Sequence, residues 1–309
     1  MKYLVTALSL FLAWSAAADR LVPELPGPGE RIRVIIDTDA ACEIDDLYAL
    51  ALALTARDKL HIEGFVGAHF GDSGGPDGIG RSVETIHTML EKAGLSGQFP
   101  VKRGAHPLRY GKEPSESEGV DFIIEKALAS SAEDPLWVIL LGPLTDIASA
   151  QLKEPKITDR VRVFWHGRTQ WPERCWNFTA YNDTRAVRTV FSSNLPLVLF
   201  DTGTYLRCTM EESEEKLRPL GPLGEYLHDF RLKKPWFQVP TKGFFDLGDI
   251  AALVDPTLTY HETTAVPSVN WDLRYDHRKT NGKMLRIYQI DRDRTFDMLY
   301  KRLKTHLEE

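Results

Sequence analysis

The chain has 309 residues, 43% of them hydrophobic and 27% charged, and a formal net charge of -6. That composition belongs to an ordinary globular protein with enough chain for a large core. The acidic balance leaves no basic patch and argues against nucleic acid as the main partner.

In chain order, residues 1–18 come first, with Lys2, an apolar stretch and then Ala16 and Ala18 at small-x-small spacing. This pattern predicts a signal peptide over 1–18, a mature start near Asp19, one domain over 19–309, and a periplasmic or secreted protein. The run is short for a membrane span and no cysteine follows it, so no membrane anchor is expected after its removal. Residues 31–36 turn from alternating to apolar, a buried strand, and Leu47, Leu50, Ala51 and Leu54 then mark one helix face. Strand 61–68, a glycine-rich loop 69–80 and a helix on Val83, Ile86, Leu90 and Ala93, stopped by Gly94, follow. A short strand over 99–104, a helix over 119–130, a strand over 136–141 and a helix opened by 143–150 continue the alternation. Strand 160–165 precedes an aromatic-rich loop over 166–182, then come a helix over 183–193 and a strand over 195–201. Helices near 211–218, 222–232 and 249–254, a strand over 284–290 and a helix on Phe296, Leu299, Leu303 and Leu307 end the chain. Alternation of this kind predicts an α/β fold: an open, mostly parallel (mixed) sheet with helices on both faces.

The stretch "DTDAACEIDD" places Asp37, Asp39, Asp45 and Asp46 between the first strand and the first helix. In an open parallel sheet, ligands bind beyond the carboxyl ends of the strands, where this loop lies. Crowded carboxylates repel one another unless protons or a cation intervene. An all-oxygen cluster favours a hard cation, Ca²⁺ ahead of Mg²⁺. The bland alternative is a solvated loop whose last two acids cap a helix. It accounts for Asp45 or Asp46 but not for Asp37 and Asp39 at the end of a buried strand. A cation held there can activate water, and a spare carboxylate can act as general base, which suits hydrolysis.

These residues bear a family likeness. "DTDAACEIDD" resembles the Asp-Thr-Asp-Pro-Gly-x-Asp-Asp signature of the nucleoside hydrolases of the inosine-uridine preferring kind. "LLGPLTDIA" (140–148) is similar to that family's Gly-Pro-Leu-Thr-Asn-Ile-Ala, "NFTAYNDTRAV" (177–187) to its Glu-Phe-Asn-x-x-x-Asp-Pro-Glu-Ala-Ala, and "FDLGDIAALVDP" (245–256) to its His-Asp-Pro-Leu-Ala-Val-Ala-x-Leu-Ile-Asp-Pro. The four stand in the family's order over about residues 32–256. The resemblance implies a nucleoside hydrolase-like fold and cleavage of the N-glycosidic bond of ribonucleosides, or of a related N-ribosyl compound, with bound Ca²⁺. It also implies a small-molecule nucleoside or ribosyl substrate and a homo-oligomer, dimer or tetramer. By the same resemblance Asp39 would contact the metal and act as base on water, and Asp46 would be its bidentate ligand. Leu141 would offer a backbone carbonyl, and Asp246 would complete the shell, with Asp249 as rival. Asp45 would bind the sugar at the metal's edge, Asn177 and Thr179 would bind sugar hydroxyls, and Asp37 would support the shell through hydrogen bonds.

The sequence also departs from the pattern. Five residues, Ala40 to Ile44, replace the family's three between the aspartates, and Glu43 adds a carboxylate that is expected to face water. His69, Gly71 and Asp72 stand where the family has a ribose-binding asparagine, and Phe245 stands where it has a histidine that protonates the leaving base. His69, His166 and His228 are the candidates to replace that acid. Trp165, Trp171, Trp176 and Phe178, and a second patch of Trp236, Phe237 and Phe244, are aromatic enough to stack on a base or to pack the fold. Arg168 and Arg174 either pair with an anion or face solvent. Cys175 and Cys208 are free to pair, while Cys42 is a small thiol with no partner at metal-site spacing. Two other functions remain open: a non-catalytic or altered-substrate relative that binds metal and sugar, and an aspartyl-type phosphohydrolase suggested by Asp37-x-Asp39.

Overall fold

A computed structural model describes residues 20–308, so the expected signal segment 1–18 lies outside the described residues. The strands are β1 (Ile32–Thr38), β2 (Leu60–Gly67), β3 (Val101–Arg103), β4 (Leu136–Leu140), β5 (Val161–His166), β6 (Leu197–Phe200), β7 (Arg207–Thr209), β8 (Thr241–Gly243), β9 (Thr259–Val269) and β10 (Tyr275–Ile290). Eight of them form one sheet in the order β3-β2-β1-β4-β5-β6-β10-β9. All neighbours are parallel except β9, which runs antiparallel to β10 at the edge. The α/β reading and the mixed sheet therefore hold. The β7–β8 pair stands apart as a small antiparallel ribbon.

The helices are α1 (Asp45–Thr55), α2 (Gly78–Lys92), α3 (Glu118–Leu128), α4 (Thr145–Lys153), α5 (Phe178–Asn182), α6 (Thr184–Ser192), α7 (Met210–Glu212), α8 (Gly221–Lys233), α9 (Leu247–Val254) and α10 (Arg292–Glu308). They cover both faces of the sheet, which is why the central strands are apolar on both sides. Val34 and Ile36 join the core with α1, α9 and α10, and Ile35, one residue out of phase, joins the core with α4 and α6. Helix α1 is buried on every side from Asp45 to Leu54 instead of on one face. It packs against α9, α10, α2 and α8, so it has no solvent side.

The β9–β10 hairpin was not expected from the sequence beyond residues 284–290. Its residues are exposed for much of their length, and Pro267 breaks the pattern, as an edge strand allows. Helix α5 lies inside the expected loop 166–182. Cys175 and Cys208 are free thiols in different cores, so no bridge joins them. Among the described residues no helix is long and apolar enough to cross a membrane.

Candidate active site and metal centre

Strands β1 and β4 are neighbours, and from them the sheet grows outward in opposite directions, through β2 and β3 on one side and β5 and β6 on the other. The crevice at such a switch point lies beyond the strands' carboxyl ends. Here it is a cavity of about 250 Å³ lined by Asp39, Cys42, Glu43, Asp45, Asp46, Leu141, His166, Arg168, Asn177, Phe178, Thr179, Phe245 and Asp246. Residues more than two hundred positions apart meet there because the parallel strands end together.

The loop after β1 is a compact turn. Ala68 N–H donates to Thr38 O (2.8 Å), Leu141 N–H to Asp37 O (2.9 Å) and Cys42 N–H to Asp39 O (2.7 Å). Ala40 and Ile44 sink into the core, so the lengthened segment is anchored at both ends. Asp45 and Asp46 open α1, where the helix dipole favours anions. Thr38 Oγ1 donates to Asp46 Oδ1. Tyr48 of α1 stacks on Phe244 with ring centroids 3.9 Å apart, which ties α1 to the segment carrying Phe245 and Asp246. Gly142 is needed for close approach: a Cβ there would sit 3.2 Å from Asp39 N and Oδ1.

Burial, and then the charge of Asp45, push the Asp39 carboxyl up to about 8. Burial, reinforced by Asp39 and Asp45, holds Asp46 well above the ordinary carboxylate range. Burial and the charges of Asp45, Asp46 and Asp249 do the same to Asp246. Asp249 is raised by burial only to about 6, because His166 offsets part of the penalty. His166 Nδ1 stands 2.7 Å from Asp249 Oδ2 and 3.1 Å from Asp246 Oδ1.

Asp39, Asp45, Asp46, Leu141, Asp246, Asn177 and Thr179 are brought together on the cavity. The expected rivalry between Asp246 and Asp249 takes a different form, since both converge on His166, and only Asp246 is among the lining residues. Asp37 does not support the shell through hydrogen bonds: neither carboxylate oxygen has a partner. It lies within β1 between Val66 and Leu140, where no donor reaches it, and burial with Asp146 and Asp39 holds its carboxyl well above the ordinary range. Asn177 lines the cavity but its polar atoms also serve the fold. Its Oδ1 caps α5 by accepting from Ala180 N–H (2.6 Å) and Thr179 Oγ1 (3.0 Å), and its Nδ2 donates to Gly167 O.

Glu43 does not simply face water; its Oε2 pairs with Lys242 Nζ of β8 at 3.2 Å. His69, Gly71 and Asp72 line a different hollow with His106 and Pro107. His69 is engaged with Thr145 Oγ1 (2.7 Å), and His228 with Ser213 (3.0 Å) and Glu214 (2.7 Å), so of the three candidates only His166 reaches the cavity. Trp165, Phe237 and Phe244 are core residues, while Trp176, Phe178 and Trp236 are exposed. Arg168, expected either to pair with an anion or face solvent, lines the cavity with its guanidinium 3.9 Å over the Phe245 ring. The link from Lys242 to Glu43 joins segments two hundred residues apart and had no local signal in the sequence.

The donor set fits a hard cation. Ligand atoms of Asp45, Asp46 and Asp246 lie within 4.8 Å of one another, and those of His166, Asp246 and Asp249 form a second such group. The buried Oδ1 atoms of Asp45 and Asp249 lack hydrogen-bond partners. Buried carboxylates without donors are costly unless a cation or protons neutralise them.

Residues 34–301 match the family described as "Inosine-uridine preferring nucleoside hydrolase". The chain is 27% identical over 164 residues to the pyrimidine-specific ribonucleoside hydrolase RihB of Escherichia coli (strain K12 / DH10B), a match covering 51% of this chain and 49% of that protein. It thus spans about half the length of that curated relative. The fold superposes on a purine-preferring ribonucleoside hydrolase from Gardnerella vaginalis with a TM-score of 0.72 at 20% identity, covering 89% of this chain and 99% of that one. The inosine-uridine preferring nucleoside hydrolase from Bacillus anthracis gives a TM-score of 0.65 at 18% identity, covering 88% and 99%. At these identities the two structures speak for the fold.

Proposed function

The chain belongs to the inosine-uridine preferring nucleoside hydrolase family, and on that premise we propose that it hydrolyses the N-glycosidic bond of ribonucleosides, or of related N-ribosyl compounds, with Ca²⁺ bound. The observation that carries the reading is the convergence of Asp39, Asp45, Asp46 and Asp246, all buried, on one cavity at the sheet's switch point.

In this reading the sugar lies on the carboxylate floor and the base points toward Phe178, Phe245 and Arg168. Asp39 accepts a proton as water attacks C1′. The glycosidic bond breaks with its electron pair going to the base, leaving a sugar with oxocarbenium character. The anionic carboxylates around it stabilise that positive charge. Asp45 accepts from the sugar hydroxyls, Thr179 accepts from or donates to them, and Asn177 fixes the turn that presents Thr179. Asp46, Asp246 and the Leu141 carbonyl would hold the cation, with Asp39 at its edge. When bound, the cation would offset the carboxylate charges and act as a Lewis acid toward water and sugar oxygens. His166 positions Asp246 and Asp249 through its Nδ1.

The test is ribose release from uridine and inosine before and after removal of metal by a chelator. Activity should vanish and return with added Ca²⁺, and Asp39→Ala should lower kcat by about 10³-fold. Release that ignores both the chelator and Asp39→Ala overturns the reading. Phe245, standing where the family has a histidine, favours a second reading in which sugar and metal bind without turnover; binding of ribose with no product would support it. Export, supported by the pattern of residues 1–18, predicts activity in a periplasmic or culture fraction. A homo-oligomer predicts a dimer or tetramer mass in light scattering.

A further inference from the structure

Among the described residues, the rim of the cavity carries one cation with no counter-charge. Lys242 is ion-paired with Glu43. Arg168 makes no side-chain hydrogen bond or ion pair with any described residue; its guanidinium contact is the face of Phe245, 3.9 Å away. The backbone commits to this placement. Arg168 has φ +37°, a region that residues with a side chain seldom occupy. The N–H groups of Gly167 and Arg168 both donate to Phe200 O, at 2.8 and 2.9 Å, which fixes the turn.

Stacking uses the flat face of a guanidinium and leaves its edge donors free. Those donors match a carboxylate in a forked, charge-assisted pair. The residue also lines an adjoining hollow with Gln170, Trp176, Phe178 and Thr204, so it stands where the two spaces meet. Trp176 and Phe178 are 43% and 41% exposed, and flat apolar walls of this kind suit a planar ring. The floor of the cavity is negative and this part of its rim is positive, which orients a substrate whose far end is anionic.

We propose that Arg168 is a specificity residue that selects N-ribosides whose leaving base carries a carboxylate-type anion. The inference rests on the part of that reading which seats an N-riboside in the cavity, and not on its turnover. Phe245, which has no proton to give a leaving base, is then the platform that holds Arg168 in place. A neutral base would leave the guanidinium with nothing charged to meet.

The experiment compares uridine with 5-carboxyuridine, which share ring and sugar, on the Ca²⁺-loaded full chain. Two readouts are taken: kcat/KM, and calorimetric Kd for each compound. A charge-assisted pair predicts a preference of about 10- to 100-fold for the carboxylate compound in both. In Arg168→Gln the preference should collapse toward one, and Arg168→Lys should restore part of it. Turnover of both compounds with equal kcat/KM would overturn the inference while leaving the hydrolase reading standing. Absence of turnover, with a Kd preference that Arg168→Gln abolishes, would support the inference and overturn the hydrolase reading. Equal Kd values without turnover would overturn both.

Discussion

The protein buries two groups of aspartates that look alike in sequence and behave differently. Asp45 at the cavity and Asp249 beside it each keep an oxygen without a donor, and Asp39, Asp46 and Asp246 repel them and one another. Behind it, Asp183 accepts from Leu108 N–H (2.9 Å), Ala186 N–H (2.9 Å) and Thr145 Oγ1 (2.7 Å). Asp146 accepts at Oδ1 from Ala105 N–H (2.8 Å) and Ser117 Oγ (3.3 Å), while its Oδ2 has no partner. Burial raises carboxyls in both groups, but donors pull the second group back. Equal burial therefore does not mean equal function. A carboxylate that lines the cavity is free to bind, and one closed in by the fold, as Asp183 and Asp146 are, is scaffold.

The comparison breaks first at Asp46. Asp46→Asn should weaken Ca²⁺ binding and lower activity by about 10³-fold or more, yet leave the metal-free protein as stable as before or more so, because it relieves repulsion between like charges. Calorimetric titration and melting without added metal would show both; a large loss of metal-free stability would place Asp46 with the scaffold group. Asp183→Ala should do the opposite. It leaves three donors unanswered and should cost about 3 kcal/mol in denaturant unfolding, with metal affinity little changed in the folded protein.

A pH experiment sharpens the scaffold side. His69 Nε2 meets Thr145 Oγ1 at 2.7 Å, and Thr145 in turn donates to Asp183. Burial holds the His69 imidazole down at about 4, below its ordinary 6.5. As pH falls the unfolded chain takes up that proton first, so the contribution is whole above about pH 6.5 and is lost between there and about pH 4. Relative to His69→Gln, the wild type should lose about 2 kcal/mol between pH 8 and pH 5. Parallel curves would remove His69 from the account. His166→Gln, which keeps only part of the contact to Asp246 and Asp249, should weaken metal binding by about 10- to 100-fold. The smallest effect belongs to the rim: Lys242→Met should cost about 1 kcal/mol or less, since the Glu43 side chain is 36% exposed and water can replace the ammonium.

Much of this was legible in the chain. The strand–helix alternation follows from the period of the apolar residues, and parallel strands buried on both faces write the strongest such signal. "DTDAACEIDD" announces its acids because they end an apolar run. The exposed, mixed-polarity β9–β10 hairpin has no comparable period, and α5 was hidden in a loop rich in aromatics. The site was only partly readable. Asp37 was expected to support the shell through hydrogen bonds, but it lies inside β1 without a donor, while Asp39 lies beyond the strand's end. Glu43 looked solvated until β8 brought Lys242 to it.

By itself, the sequence determined the fold class and the family, because local periodicity and four ordered motifs depend on neighbours along the chain. The tertiary structure decided which acids share a cavity, which lone pairs the fold consumes, that His166 rather than His69 or His228 reaches the site, and that Arg168 lies on Phe245 without a counter-charge. Those are distances between residues far apart in the chain, and electrostatic and hydrogen-bond energies depend on distance and burial, which no local pattern records.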